Sequence, residues 1–160
     1  MSVRISYLAV IVATFYLTGC GPGPDIKTRF DTPISYAQAI KEDDIDFPLP
    51  AASHNINYAM YGDWQAYQRF VRFEAPVEDC IRHIDVVLAW NDKMYKRISS
   101  YPRIEVASVE PHRGDSMMGP VPWFDVDKIR HGIYVGKASS HTPEIWVDRD
   151  RGVFYFYETD

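Results

Sequence analysis

The sequence predicts an α+β fold: a single domain on a mainly antiparallel sheet of about five or six strands, with one amphipathic helix packed on one face. Three observations carry this expectation. Short runs alternate apolar and polar residues between Gly, Pro and Asp turn signals, as half-buried strands do. One stretch beginning at Ala75-Pro76 repeats its apolar residues at helical spacing instead. The chain also holds eleven Tyr, eight Phe and four Trp, rings that fill a pleated face well.

Taken in order, residues 34–41 have room for one or two helical turns, with Pro33 near their start. Residues 54–61 (HNINYAMY) read as a strand, and Gly62-Asp63 as a turn. In the following strand, 65–73, Tyr67, Arg69, Val71 and Phe73 fall on one face, and Ala66, Gln68, Phe70 and Arg72 on the other. The two strands make a hairpin.

Pro76 suits the first position of a helix, and Glu78 and Asp79 suit the positive end of its dipole. Val77, Cys80, Ile81, Ile84, Val87 and Leu88 then form one apolar stripe. Residues 103–109 (RIEVASV) are strand-like, 110–122 are a loop, and 122–130 hold a short helical turn. Strands at 133–137, 144–148 and 153–158 follow, the last two joined by Arg149-Asp150-Arg151-Gly152. Strands joined by short turns imply antiparallel pairing, with the helix covering one face.

Composition narrows the partners. The formal charge is −5, and removing residues 1–19, whose only charged side chain is Arg4, takes it to −6. Nucleic-acid binding needs a concentrated basic surface, so no nucleic-acid partner is expected. An acidic domain is also repelled by anionic lipid head groups, so membrane attachment must come from elsewhere.

The start of the chain is where such an attachment is expected. Arg4 and the initiator amine precede an apolar run over 8–17, which is shorter than the ~20 residues that span a bilayer. The run ends in Leu17-Thr18-Gly19-Cys20, which resembles the lipobox of bacterial lipoproteins. The resemblance implies an export signal over 1–19, cleavage after Gly19 and acyl chains on Cys20, with the membrane as partner through those chains. Each buried CH₂ contributes about 0.8 kcal/mol, so two or three long chains anchor stably. Gly21 stands where an aspartate commonly signals inner-membrane retention. The resemblance therefore points to the outer membrane, facing the periplasm, in a Gram-negative host. Residues 20–50, with prolines at 22, 24, 33, 48 and 50, read as a flexible tether of roughly 30 Å reach, and 51–160 as the domain.

With Cys20 acylated, Cys80 has no intrachain partner, and its place on the helix stripe suits a buried, inert thiol. The five histidines, His54, His83, His112, His131 and His141, lack the spacing of a metal site, and neither metal nor other cofactor is expected. Asp79 and His83 lie one helical turn apart and read as a surface pair. Asp148-Arg149-Asp150-Arg151-Gly152 alternates carboxylates like a calcium loop, but a hairpin turn with Gly in the left-handed position explains the same residues. No G-x-S-x-G elbow occurs, and the Arg113-Gly114-Asp115 tripeptide carries no weight. No catalytic residues are assigned. Met117, Met118 and Trp123 bring large apolar side chains to the 110–122 loop and its end, as a partner-binding surface would. The competing reading has Trp123 and Phe124 cap the core.

The run Leu49-Pro50-Ala51-Ala52-Ser53-His54-Asn55-Ile56, the motif Val71-Arg72-Phe73 before Pro76, the Pro122-Trp123-Phe124-Asp125 turn and the ending 153–160 (VFYFYETD) resemble a pattern in small bacterial lipoproteins and secreted domains. That resemblance implies a recurrent single domain and brings no activity. The expectation is thus a membrane-anchored lipoprotein with a small non-catalytic binding or envelope-associated domain and a protein partner. Two alternatives remain open: an immunity protein that neutralises a periplasm-targeted toxin, and a small hydrolase.

Overall fold

The computed structural model describes residues 26–62, 66–95, 101–106, 119–136 and 143–159. Its strands are β1 (Ile26–Ile34), β2 (His54–Gly62), β3 (Tyr67–Glu74), β4 (Arg103–Glu105), β5 (Gly132–Val135), β6 (Glu144–Asp148) and β7 (Val153–Thr159). The helices are α1 (Tyr36–Ala39) and α2 (Val77–Tyr95), with a 3-10 turn at Val126–Lys128.

All strands join one antiparallel sheet in the order β1-β2-β3-β7-β6-β5-β4. The sheet is two meanders, β1-β2-β3 and β4-β5-β6-β7, sealed where β3 pairs with β7 (Val71 opposite Phe156, Phe73 opposite Phe154). α2 is the link between them. Pro76 lends its carbonyl to the N–H groups of Asp79 and Cys80, starting the first turn. Cys80, His83, Ile84, Val87 and Asn91 are the buried residues of α2, and their spacing makes one stripe facing the sheet.

That face holds the first core, in which Ile56, Tyr58, Val71, Phe73, Phe154 and Phe156 pack with the α2 stripe. Fully burying each such side chain stabilises the fold by about 1.5–3 kcal/mol. The opposite face is covered too. Phe70, Trp146, Tyr155 and Tyr157 meet Val121, Phe124, Val126 and Ile129 from the segment before β5. Phe124 stands edge-on to Phe70, Trp146 and Tyr155, with interplanar angles of 84°, 87° and 85°.

The α+β class holds, with two corrections. Among the described residues the sheet has seven strands, not five or six. The additional one is β1, which lies in the stretch 20–50 expected to be a flexible tether. Residues 26–50 are integrated instead: β1 pairs with β2 (Phe30 opposite Tyr58), and Ala39 and Phe47 are buried in the first core. Ser35 and Gln38 close a capping box on α1. Pro33 sits on an edge strand, where a missing N–H costs no ladder bond. A tether can only be sought before Ile26, and residues 1–25, with Cys20 and the expected export signal, lie outside the described residues.

Other boundaries differ more modestly. β4 is shorter than the expected 103–109, and residues 107–118 lie outside the described set. α2 runs past Leu88 to Tyr95. The β6–β7 turn carries Gly152 at φ 64°, where an added Cβ would stand 2.6 Å from the Ala75 carbonyl oxygen, so glycine is required twice over. Among the described residues no helix is long and apolar enough to cross a membrane.

Candidate functional site

On the second face, the row of cross-strand partners Asn57, Arg72, Tyr155, Trp146 and Tyr134 runs from β2 to β5. Its β5–β7 part is aromatic and covered by Phe124. Its β2–β3 part is polar and opens into a cleft.

A bulge in β2 shapes that opening. The register of β2 against β3 shifts between His54 and Asn57, and Asn55 adopts φ 48°. Asn is one of the few non-glycine residues that enters this left-handed region readily. Bulges re-aim side chains, and this one turns Asn55 toward β3, where its Nδ2 donates to Glu74 Oε2 at 2.9 Å. Arg72 donates to Glu74 Oε1 at 2.7 Å and to the Asn55 carbonyl at 3.3 Å. The neighbouring Asn57 donates to the carbonyls of Phe30 and Asp31 at 3.1 and 2.9 Å, pinning β1.

The opposite wall comes from the segment before β5. Trp123 donates its indole N–H to Asp31 Oδ1 at 2.8 Å, and Arg29 donates to Asp31 and to the Pro120 carbonyl at 2.8 and 3.0 Å. Asp125 accepts from the Tyr155 hydroxyl at 2.6 Å and faces Lys128 and Arg151 at 3.3 and 3.4 Å. Between these walls lies a cleft of about 470 Å³ lined by Asp31, Pro33, Asn55, Asn57, Arg72, Glu74, Trp123 and Asp125.

Its three carboxyls are all held below their usual range. The Arg29 hydrogen bond lowers Asp31, with Trp123 adding to the effect. Burial pushes Glu74 up, but the bonds from Arg72 and Asn55 together outweigh it. Burial likewise raises Asp125, and the Tyr155 hydroxyl with Arg151 and Lys128 overcomes it. Tyr155 itself is raised, by burial first and then by Asp125. The cleft therefore offers ionised acceptors, one guanidinium and an indole. Side-chain acids poised to give up a proton near neutrality are a different arrangement.

The residues singled out from sequence fall as follows. Trp123 is half-buried, packs beside Phe124 and lines the cleft, so it both caps the second core and reaches the site. Met117, Met118, His112, His141 and Arg113-Gly114-Asp115 lie outside the described residues. The expected surface pair of Asp79 and His83 is corrected: Asp79 pairs with Arg82, while His83 is buried and bonds the Pro48 carbonyl at 2.6 Å. Three aromatic rings and the 40–50 segment enclose it, and burial lowers its pKa. Nε2 thus donates as a neutral imidazole.

Cys80 is buried, and burial pushes its thiol up to about 12. His54 faces Glu74 at 3.6 Å and His131 faces Asp150 at 2.9 Å. Asp148 spends its oxygens on the Asp150 and Arg151 N–H groups and on Arg151 Nε, which makes its loop a capped turn. Among the described residues no three His, Cys, Asp or Glu side chains converge to hold a metal ion. The sequence reading missed Asp31, Asn55, Arg72, Glu74 and Asp125. The one available signal was the asparagine pair in His54-Asn55-Ile56-Asn57, unusual inside a strand. No protein-family model, curated protein or solved structure matches this chain.

Proposed function

We propose that this chain is a lipid-anchored binding module of the cell envelope that takes a hydroxyl- and amide-rich ligand, the chemistry of a glycan, in the cleft beside Trp123. The observation that carries the reading is the composition of that cleft: ionised Asp31, Glu74 and Asp125, the Arg72 donor and an indole in one open groove. Carboxylates accept from sugar hydroxyls, the guanidinium donates to ring and carbonyl oxygens, and an aromatic ring packs against the apolar face of a sugar. Ionised acceptors favour binding over acid catalysis, which needs a carboxyl held protonated near neutrality. This counts against the hydrolase alternative. Anchoring rests on Leu17-Thr18-Gly19-Cys20 and would present the domain to the periplasm from the outer membrane of a Gram-negative host.

The test is co-sedimentation of the acylated full chain, in mild detergent, with insoluble N-acetylglucosamine polymer. Wild type should sediment and be released by soluble oligosaccharide, and Arg72→Met should bind at least tenfold more weakly. Failure of the wild type to sediment would remove the glycan reading. The anchor is tested separately: Cys20→Ser should abolish incorporation of labelled palmitate, and an unmodified Cys20 in mature wild-type protein would refute it.

A further inference from the structure

We infer that Asn57 and Arg72, partners across β2 and β3, read an acetamido group, so that the ligand of the Trp123 cleft is selected by an N-acetyl substituent. The inference rests on the glycan reading of that cleft and names the group on which the choice turns.

Asn57 is 1% exposed, yet it lines the cleft. Its Nδ2 is spent on the carbonyls of Phe30 and Asp31, and two carbonyls on that nitrogen fix which end of the carboxamide is the oxygen. Among the described residues no donor reaches Oδ1, and this oxygen is not sealed in the interior: it opens into the cleft. Each oxygen of Asp31, Glu74 and Asp125, by contrast, already faces a protein donor, with only its second lone pair to spare. Buried acceptors are nearly always paired, so the Asn57 oxygen calls for a donor from the ligand.

Arg72 is the cross-strand partner of Asn57, which puts their Cβ atoms about 5 Å apart. Its Nη1 and Nη2 donate to the Asn55 carbonyl and to Glu74, which leaves other N–H groups of the fork unspent, and none of its nitrogens is sealed in the interior. Pro33 and the Trp123 ring, whose N–H is spent on Asp31, are the apolar part of the lining. An acetamido group matches this set. Its N–H meets Asn57 Oδ1, its carbonyl takes a charge-assisted bond from Arg72, and its methyl lies against the apolar wall. A hydroxyl at the same ring position satisfies Asn57 alone. An acetate ester keeps the carbonyl and the methyl but sets an oxygen against Oδ1, and a site built to bond an N–H rejects the analogue that lacks it.

Isothermal titration of the acylated full chain in detergent with three soluble probes tests the pair. They are the N-acetylglucosamine trisaccharide, the glucose trisaccharide of the same linkage, and that glucose trisaccharide esterified with acetate at the hydroxyls that replace the acetamido groups. The first should bind about tenfold or more tighter than either of the others. In Asn57→Leu the affinities for the amide and the ester should come within about threefold of each other, a ratio that a general loss of folding does not move. Binding of all three probes at one affinity, or an unchanged ratio in Asn57→Leu, would overturn the acetamido assignment and leave the glycan reading standing. No binding of any probe would remove both. If Asn57→Leu does not fold, the comparison of amide with ester on the wild type decides alone.

Discussion

Trp123 and Asp31, 92 positions apart in the chain, are joined by an indole N–H to carboxylate bond of 2.8 Å. The bond closes the segment before β5 over the edge strand β1. It also fixes two walls of the cleft at once, so the same contact serves packing and site geometry.

Trp123→Phe and Trp123→Ala separate those roles. Phe keeps a ring beside Phe124 and removes only the donor, so stability should fall by about 0.5–1.5 kcal/mol, the usual net value of one hydrogen bond. Ala removes the ring as well. Because Trp123 is half-buried, its loss should be about 2–3 kcal/mol, short of the ~3–5 of a fully buried Trp. Urea unfolding of both variants checks this, and equal losses would mean that the ring does not pack.

The lowered carboxyls and the lowered imidazole make stability acid-sensitive in two stages. His83 resists protonation when folded, so below its ordinary value near 6.5 the unfolded chain gains a proton that the folded chain refuses. Asp31, Glu74 and Asp125 have folded values below their unfolded ones near 3.9–4.3. Their stabilisation is complete above about pH 5 and declines as pH falls through the folded values. Melting temperature should slope gently between pH 7 and 5 and steeply below 4. His83→Phe should flatten the first stage and Glu74→Gln reduce the second.

Asn55 stores the bulge. Asn55→Gly keeps φ 48° available and loses only the bond to Glu74, whereas Asn55→Val places a β-branched residue where it is strained. Val should cost about 1–2 kcal/mol more than Gly in chemical denaturation. Equal costs would show that the bulge relaxes freely.

Cys80 should behave as a core atom group. Its thiol contacts the Ala75 and Gly152 carbonyls at 3.7 and 3.8 Å and is pushed up to about 12, so a thiol reagent should label it only as fast as the protein opens. Labelling that tracks global unfolding supports this, and rapid labelling of the native protein contradicts it.

Elements whose cause is local were legible in the sequence, and the site was not. The α2 stripe, Pro76 and the acidic first turn announce the helix within a dozen residues, and Gly62 marks the β2–β3 hairpin. β1 was hidden because Pro33 and the prolines after it read as breakers, although an edge strand tolerates proline. His83 looked like a surface residue because nothing near it in sequence shows that Phe47 and Pro48 fold over it. The cleft combines a bulge, two strand rows and a loop from far along the chain. Alternation alone cannot place a one-residue register shift, and that shift decides where Asn55 points.

The most direct test of the cleft is the NMR signal of the Trp123 indole N–H, followed with those of the Asn55 and Asn57 side-chain amides. The acylated full chain in detergent is titrated with soluble N-acetylglucosamine oligosaccharide. These three signals should shift together and saturate at one affinity, while the Arg69 side-chain signals on the other face stay still. Unmoved signals at saturating oligosaccharide, or the same shifts in Arg72→Met, would contradict the assignment of the cleft as the ligand site.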